Sequence, residues 1–179
     1  EAEAMHRRAL AIRERELGPD ALPVASSLDD LAVSHLDRGD GATAEPLFRR
    51  ALAIRESHLG PDDPQVATTA NGLAIALFQL KRFEDSAAMH GRALAIREKV
   101  LGPESSAVAQ SLNNLSSVQI ELGRFAEAEA ALLRAAAIWQ KNLGPDHPRI
   151  GIVQLGLADL YLRRGEAARA EPLLRSTVA

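Results

Sequence analysis

The side chains best suited to chemistry in this sequence are five histidines and a recurring set of short polar residues. A histidine ligates metal or moves protons when an acid or a second histidine stands at ligand spacing. None is so placed along this chain. In a 42-residue register, His6 and His90 occupy the position held elsewhere by Phe48, Leu132 and Leu174, which marks it as packing. His35 aligns with Leu77 and Tyr161, His147 falls in a linker, and His58 lies near a helix C-terminus, where its charge suits the dipole. There are no cysteines, which removes disulfides, thiolate metal sites and cysteine nucleophiles together. Phosphate loops, nucleophile elbows and zinc signatures are also absent. The expectation is a chain with no catalytic residues, no metal and no cofactor. The amides and hydroxyls remain, and their chemistry is hydrogen bonding to another chain.

Those polar residues are positioned by a repeat. Leu-Gly-Pro occurs at Leu17-Gly18-Pro19, Leu59-Gly60-Pro61, Leu101-Gly102-Pro103 and Leu143-Gly144-Pro145, each copy 42 residues after the last. Upstream, "RALAIRE" recurs at 8–14, 50–56 and 92–98 and degrades to "RAAAIWQ" at 134–140. Each period holds two helical patterns, an A helix and a B helix. The A pattern places apolar or small residues at i, i+4, i+7, i+8 and i+11, as in Val66, Ala70, Leu73, Ala74 and Leu77. It ends near Gly39, Gly123 or Gly165, with Lys81 in the second copy, where the turn is expected to be made differently. The B helix follows, for example over 44–60, with Pro46 and Pro172 read in the first turn, where a missing N–H costs little. Glu3/Arg7, Glu45/Arg49 and Glu171/Arg175 stand at i, i+4 with the acid first.

The chain resembles the tetratricopeptide family, and within it the kinesin-light-chain type. The resemblance rests on the long period, on "LGPDHP" at 143–148 and on "LNNL" at 112–115. The family's small and aromatic signature falls on Ala74, Phe83, Ala128 and Ala135. The chain departs from it at Gly41 and Ala167, which replace the aromatic of Phe83 and Phe125, and at "LGPESS" over 101–106. The resemblance implies an all-α solenoid, a right-handed superhelix of antiparallel helix pairs with the A helices on its concave side. The reading over 1–179 is one array of nine helices: an orphan B helix at 1–16, full repeats at 22–58, 64–100 and 106–142, and a truncated repeat at 148–178. Such repeats bury their apolar faces only against neighbours. The last helix would leave Leu173, Leu174 and Val178 partly open, and Glu1 opens inside a helical pattern, as in an excised piece.

In tetratricopeptide arrays the outer face of the A helices lines a groove. By register it comprises Ser26, Asp29, Asp30, Val33 and Asp37, then Thr68, Asn71, Gly72, Ile75 and Gln79. The third copy gives Gln110, Asn113, Asn114, Ser117 and Glu121, and the fourth Ile152, Leu155, Gly156, Asp159 and Arg163. A merely solvated face would favour lysine and glutamate. The amides point instead to peptide backbone recognition, with Asp29 and Asp30 selecting a basic or polar residue and Ile152 and Leu155 an apolar one. The basic residues that clamp a terminal carboxylate in chaperone-binding relatives are missing. Gly72 and Gly156 interrupt helix A at about 1 kcal/mol each against alanine, which implies either close helix approach or room for a ligand backbone. Trp139, standing where other copies have Arg13, Arg55 and Arg97, reads as an exposed anchor or as a filler.

Composition narrows the partners. The net charge of -3 comes from 21 basic and 24 acidic residues well mixed along the chain, with no basic face for nucleic acid. No segment approaches the roughly 20 apolar residues of a membrane span. The expectation is a protein- or peptide-binding scaffold in the cytoplasm, of high-GC bacterial source by its Ala/Leu/Arg usage. The alternative is an architectural spacer or self-association module joined weakly end to end.

Overall fold

The computed structural model describes residues 2–176, and Val178 lies outside them. Among the described residues there are nine α-helices and no strand. The B helices are α1 (Ala2–Leu17), α3 (Gly41–Leu59), α5 (Phe83–Leu101), α7 (Phe125–Leu143) and α9 (Ala167–Ser176). The A helices are α2 (Leu22–Leu36), α4 (Pro64–Gln79), α6 (Ser106–Glu121) and α8 (Pro148–Arg163). No helix among the described residues is long and apolar enough to cross a membrane. The chain forms two compact units, Glu1–Ile96 and Arg97–Ala179, dividing within α5.

In the first unit α1 packs on α2, α2 on α3 and α3 on α4, and the two A helices α2 and α4 also touch. The stripe Val66, Ala70, Leu73, Ala74 and Leu77 is at most 1% exposed, as its helical spacing predicts. Phe48, Leu52, Ala93 and Ile96 close the core from α3 and α5. Each buried leucine or phenylalanine contributes about 1.5–3 kcal/mol. The alanines let backbones approach, which is why so few aromatics suffice. In the second unit α6 packs on α7, α7 on α8 and α8 on α9, and α6 touches α8. Its core holds Val108, Leu112, Leu132, Ile138, Val153 and Leu160, together with Trp139.

The turns between A and B helices all use one left-handed residue. Gly39, Gly123 and Gly165 have φ of 74°, 71° and 77°, and Lys81 has φ of 60°. The second copy therefore makes the same turn as the others, against expectation, and its lysine carries a conformation that disfavours a Cβ. The B helices also begin earlier than read. α3 starts at Gly41, so Pro46 sits in its second turn, as does Pro172 in α9. The N–H that Pro46 lacks would have met the Ala42 carbonyl one turn back, and Ala42 is exposed to water, so the helix tolerates it.

Two of the departures from the repeat signature, Gly41 and "LGPESS", have local causes. A Cβ on Gly41 would lie 2.8 Å from the Ala76 carbonyl oxygen and 3.0 Å from the Gln79 Cβ, so α4 leaves no room for an aromatic there. In "LGPESS", Ser105 caps α6 by accepting from the Val108 N–H at 3.3 Å, as Asp63 caps α4 from the Gln65 N–H at 2.7 Å.

Candidate functional site: the outer faces of the A helices

The glycines of the A helices show how this face is built. A Cβ on Gly72 would lie 2.5 Å from the Phe48 ring, and one on Gly156 would lie 3.0 Å from the Leu132 Cδ2. Close approach of the neighbouring B helix is therefore what both glycines allow. Phe48 and Leu132 share one register position and Gly72 and Gly156 another, so the large residue and the missing side chain go together.

In the first unit the face is concave. A cavity of about 350 Å³ is lined by Asp29, Val33 and Leu36 of α2, its C-cap Asp37, Phe48 of α3, and Thr68, Asn71, Gly72, Ile75 and Gln79 of α4. Its polar groups are not equally available. Asp29 forms an ion pair with Arg55, and both meet the Thr69 hydroxyl. Burial pushes the Asp29 carboxyl above the ordinary carboxylate value, against the pull of the Arg55 guanidinium and the Thr69 hydroxyl. Its charge is already matched within the fold, so Asp29 is not the group to select a basic ligand. Gln79 donates from Nε2 to the Leu36 carbonyl at 3.0 Å, tying α4 to α2. Asp30 and Asp37 are exposed, and neither carboxylate has an ion-pair partner among the described residues.

In the second unit the sequence set divides similarly. Gln110 donates to the Asn114 Oδ1 at 2.9 Å along α6. Asn113 is half-buried, and its carboxamide makes no hydrogen bond among the described residues, although its backbone carbonyl accepts from Ser116 and Ser117. Ile152 and Leu155 on α8 are each 50% exposed. Asp159 pairs with Arg163 at 3.1 Å, and Arg163 also reaches Glu121 at 2.7 Å, so these charges satisfy one another.

Residues outside the expected set hold the face in place. Arg13 donates to the Ser27 hydroxyl at 2.5 Å, Arg55 to that of Thr69, and Arg97 to that of Ser111 at 2.6 Å, always fourteen residues on. Burial alone lowers the pKa of Arg97. In the last copy Trp139 replaces the arginine and Val153 the hydroxyl, and they are 0% and 1% exposed. Trp139 is thus a core residue and not an exposed anchor, and the Arg149 guanidinium stacks 5.1 Å from its ring centroid. Comparing the four copies position by position reveals this joint replacement; comparing each copy with a consensus does not.

A second brace joins three B helices, α1, α3 and α7, to the turn that ends the next A helix. Glu3 pairs with Arg38 at 2.8 Å and Glu45 with Arg82 at 2.8 Å. Glu129 accepts from the Tyr161 hydroxyl at 2.8 Å and pairs with Arg164 at 3.0 Å and Arg169 at 2.8 Å. The Tyr161 hydrogen bond, then Arg169 and Arg164, hold the Glu129 carboxyl below its ordinary value. His35 also belongs to this layer. It lies 3.0 Å from Asp40 and 3.8 Å from Glu3, so it does meet acids that its sequence neighbours do not reveal. Among the described residues no three His, Cys, Asp or Glu side chains are grouped to hold a metal.

The model of the tetratricopeptide repeat matches the sequence in four overlapping stretches, 1–57, 25–99, 65–135 and 107–179. The chain belongs to the tetratricopeptide repeat family. No curated protein matches it significantly. Among solved structures it is similar to BtubC (BKLC) from P. vanneervenii, at 26% identity and a TM-score of 0.84, covering 98% of this chain and 70% of that one. It is also similar to a Podosopora anserina kinesin light chain with nearly identical TPR-like repeats, at 23% identity and a TM-score of 0.82, covering 98% and 83%. The fold is thus the tetratricopeptide solenoid in its kinesin-light-chain-like form. Tetratricopeptide repeats are in general non-catalytic scaffolds for protein interaction.

Proposed function

We propose that this chain binds extended peptide segments of partner proteins on the outer faces of its A helices, without catalysis. The observation that carries the reading is the cavity between α2 and α4, an indentation walled by apolar side chains and edged by short polar ones. A peptide laid on such a face must satisfy its backbone N–H and C=O groups, since each one left unpaired in a desolvated site costs about 1–3 kcal/mol. Asn113 offers a donor and an acceptor on one short side chain that no described residue occupies. Leu155 and Ile152 on the adjoining α8 supply apolar area for a side chain of the ligand. In the first unit Asn71 holds the register position of Asn113 and lines the cavity.

The test is the affinity of Asn113→Ala for a peptide selected on the whole chain from a displayed random library. The expected loss is at least tenfold, with the melting temperature within a few degrees of the parent. A fall in stability with unchanged affinity would assign the amide to bracing helices instead. The alternative of a spacer or self-association module draws on Met5 and Ile12 of α1, 65% and 40% exposed. End-to-end self-association predicts a mass that grows with concentration, a spacer stays monomeric, and neither predicts peptide enrichment.

A further inference from the structure

The carboxylates of the first unit are unevenly partnered. Glu14 pairs with Arg50 at 2.5 Å, Glu45 with Arg49 and Arg82, Glu56 with Arg92, Asp85 with Arg82, and Glu3 with Arg7 and Arg38. Asp40 meets His35 and caps α3 from the Thr43 N–H at 3.1 Å. Asp30 and Asp37 lie outside these pairs, as do Asp20 and Asp63, and neither Asp30 nor Asp37 meets a cation among the described residues. Asp30 on α2 and its C-cap Asp37 stand seven residues apart, about two helical turns, with Val33 between them and 46% exposed. Asp37 lines the cavity itself, and no cationic side chain does.

The remaining lining has a matching bias. Val33, Leu36, Ile75 and the Phe48 ring seated against Gly72 make apolar walls. Two buried acceptors of the lining, Asp29 Oδ1 and Gln79 Oε1, receive no hydrogen bond from any described residue. The cavity therefore combines apolar walls with one uncompensated carboxylate. A volume near 350 Å³ is at the low end for a ligand pocket and suits one long side chain. Aliphatic, cationic and rich in donors is the description of lysine or arginine, whose methylenes lie along apolar surface while the head group meets an acid.

We propose that the cavity between α2 and α4 receives a lysine or arginine side chain of the bound peptide. The stem packs on Val33 and Ile75, and the head group pairs with Asp37. This rests on the peptide-binding reading and adds the chemical class of residue selected. Asp29, neutralised by Arg55, shapes the wall and does not supply the charge.

The experiment selects a displayed random dodecapeptide library on the whole chain and, in parallel, on Asp37→Asn. Enrichment of one lysine or arginine position on the parent chain, lost on Asp37→Asn, is the expected result. For a selected peptide, replacing that residue by norleucine lowers affinity at least tenfold on the parent and less than threefold on Asp37→Asn. Asp37 also ends α2, so Val33→Lys serves as a second variant. It places a cation at the exposed mouth and weakens basic peptides at least tenfold while sparing their norleucine forms. Enriched peptides without a basic position, or a basic position indifferent to both variants, would overturn the pocket while leaving peptide binding intact. Absence of enrichment on the parent chain would overturn both.

Discussion

The same three register positions are filled by opposite chemistries in the two units. In the first, Asp29, Arg55 and Thr69 form a buried charged cluster joining α2, α3 and α4. In the second, Asn113, Trp139 and Val153 stand at the equivalent places, all uncharged, with the tryptophan and valine buried. Both arrangements fill the junction between a B helix and its neighbouring A helices. The difference is what each leaves for a partner. The charged cluster commits its groove-facing acid to the fold, whereas the apolar one leaves Asn113 with an unspent amide. A repeat can therefore lose a signature residue without losing its packing, provided the contacting residues change together.

The largest expected effect comes from mixing the two chemistries. Trp139→Arg would bury a guanidinium opposite Val153 with no acid at Asn113, and should cost about 3–5 kcal/mol, the range for an uncompensated buried charge. Adding Asn113→Asp and Val153→Thr rebuilds the first unit's cluster in the second and should recover most of it. Denaturant unfolding of the single and triple variants checks this. A triple variant no more stable than the single would show that the three positions are not coupled.

Next in size are the two glycines. Gly72→Ala drives a methyl to 2.5 Å from a fixed aromatic ring, where Gly156→Ala meets only the tip of Leu132 at 3.0 Å. Overpacking costs about 1–3 kcal/mol, offset by about 1 kcal/mol of helix propensity. Gly72→Ala should therefore lower the melting temperature, and Gly156→Ala should leave it nearly unchanged.

A pH series separates Glu129 from Asp29 by sign. The pKa of Glu129 is lowered in the folded chain, so its contribution is present above the unfolded carboxylate value and is lost as pH falls through the folded one. Glu129→Gln should thus be less stable than the parent near neutrality, with the gap closing in acid. Asp29 acts in the opposite sense: its raised pKa means that lowering the pH through it favours the folded state. The smallest effect belongs to the turns. Lys81→Gly matches the second turn to Gly123 and relieves a left-handed lysine, which should raise stability by at most about 1 kcal/mol once the freedom of glycine in the unfolded chain is subtracted.

The helices were legible because the apolar spacing and the Leu-Gly-Pro punctuation repeat in strict register, and Val66, Ala70, Leu73, Ala74 and Leu77 are buried as that spacing requires. Helix starts were less so. The residue that fixes the start of α3 is the Asp40 cap, while the eye is drawn to Pro46, a proline that an exposed second turn accepts. The A-helix face was legible as a set of positions but not as a set of available groups. Sequence places Asp29 and Asp30 side by side, yet only the packing of α3 shows that Arg55 takes one and leaves the other. Trp139 misled for a related reason: a lone tryptophan in place of a conspicuous arginine suggests exposure until Val153 is seen to have changed with it.

Hydrogen exchange on the whole chain, with and without a saturating library-selected peptide, tests the proposed mode of binding most directly. Added protection should concentrate on α2, α4, α6 or α8, around residues such as Asp37, Ile75 and Asn113, with α3, α5 and α7 changing little. Protection centred on the B helices, with the A helices unaffected, would contradict it.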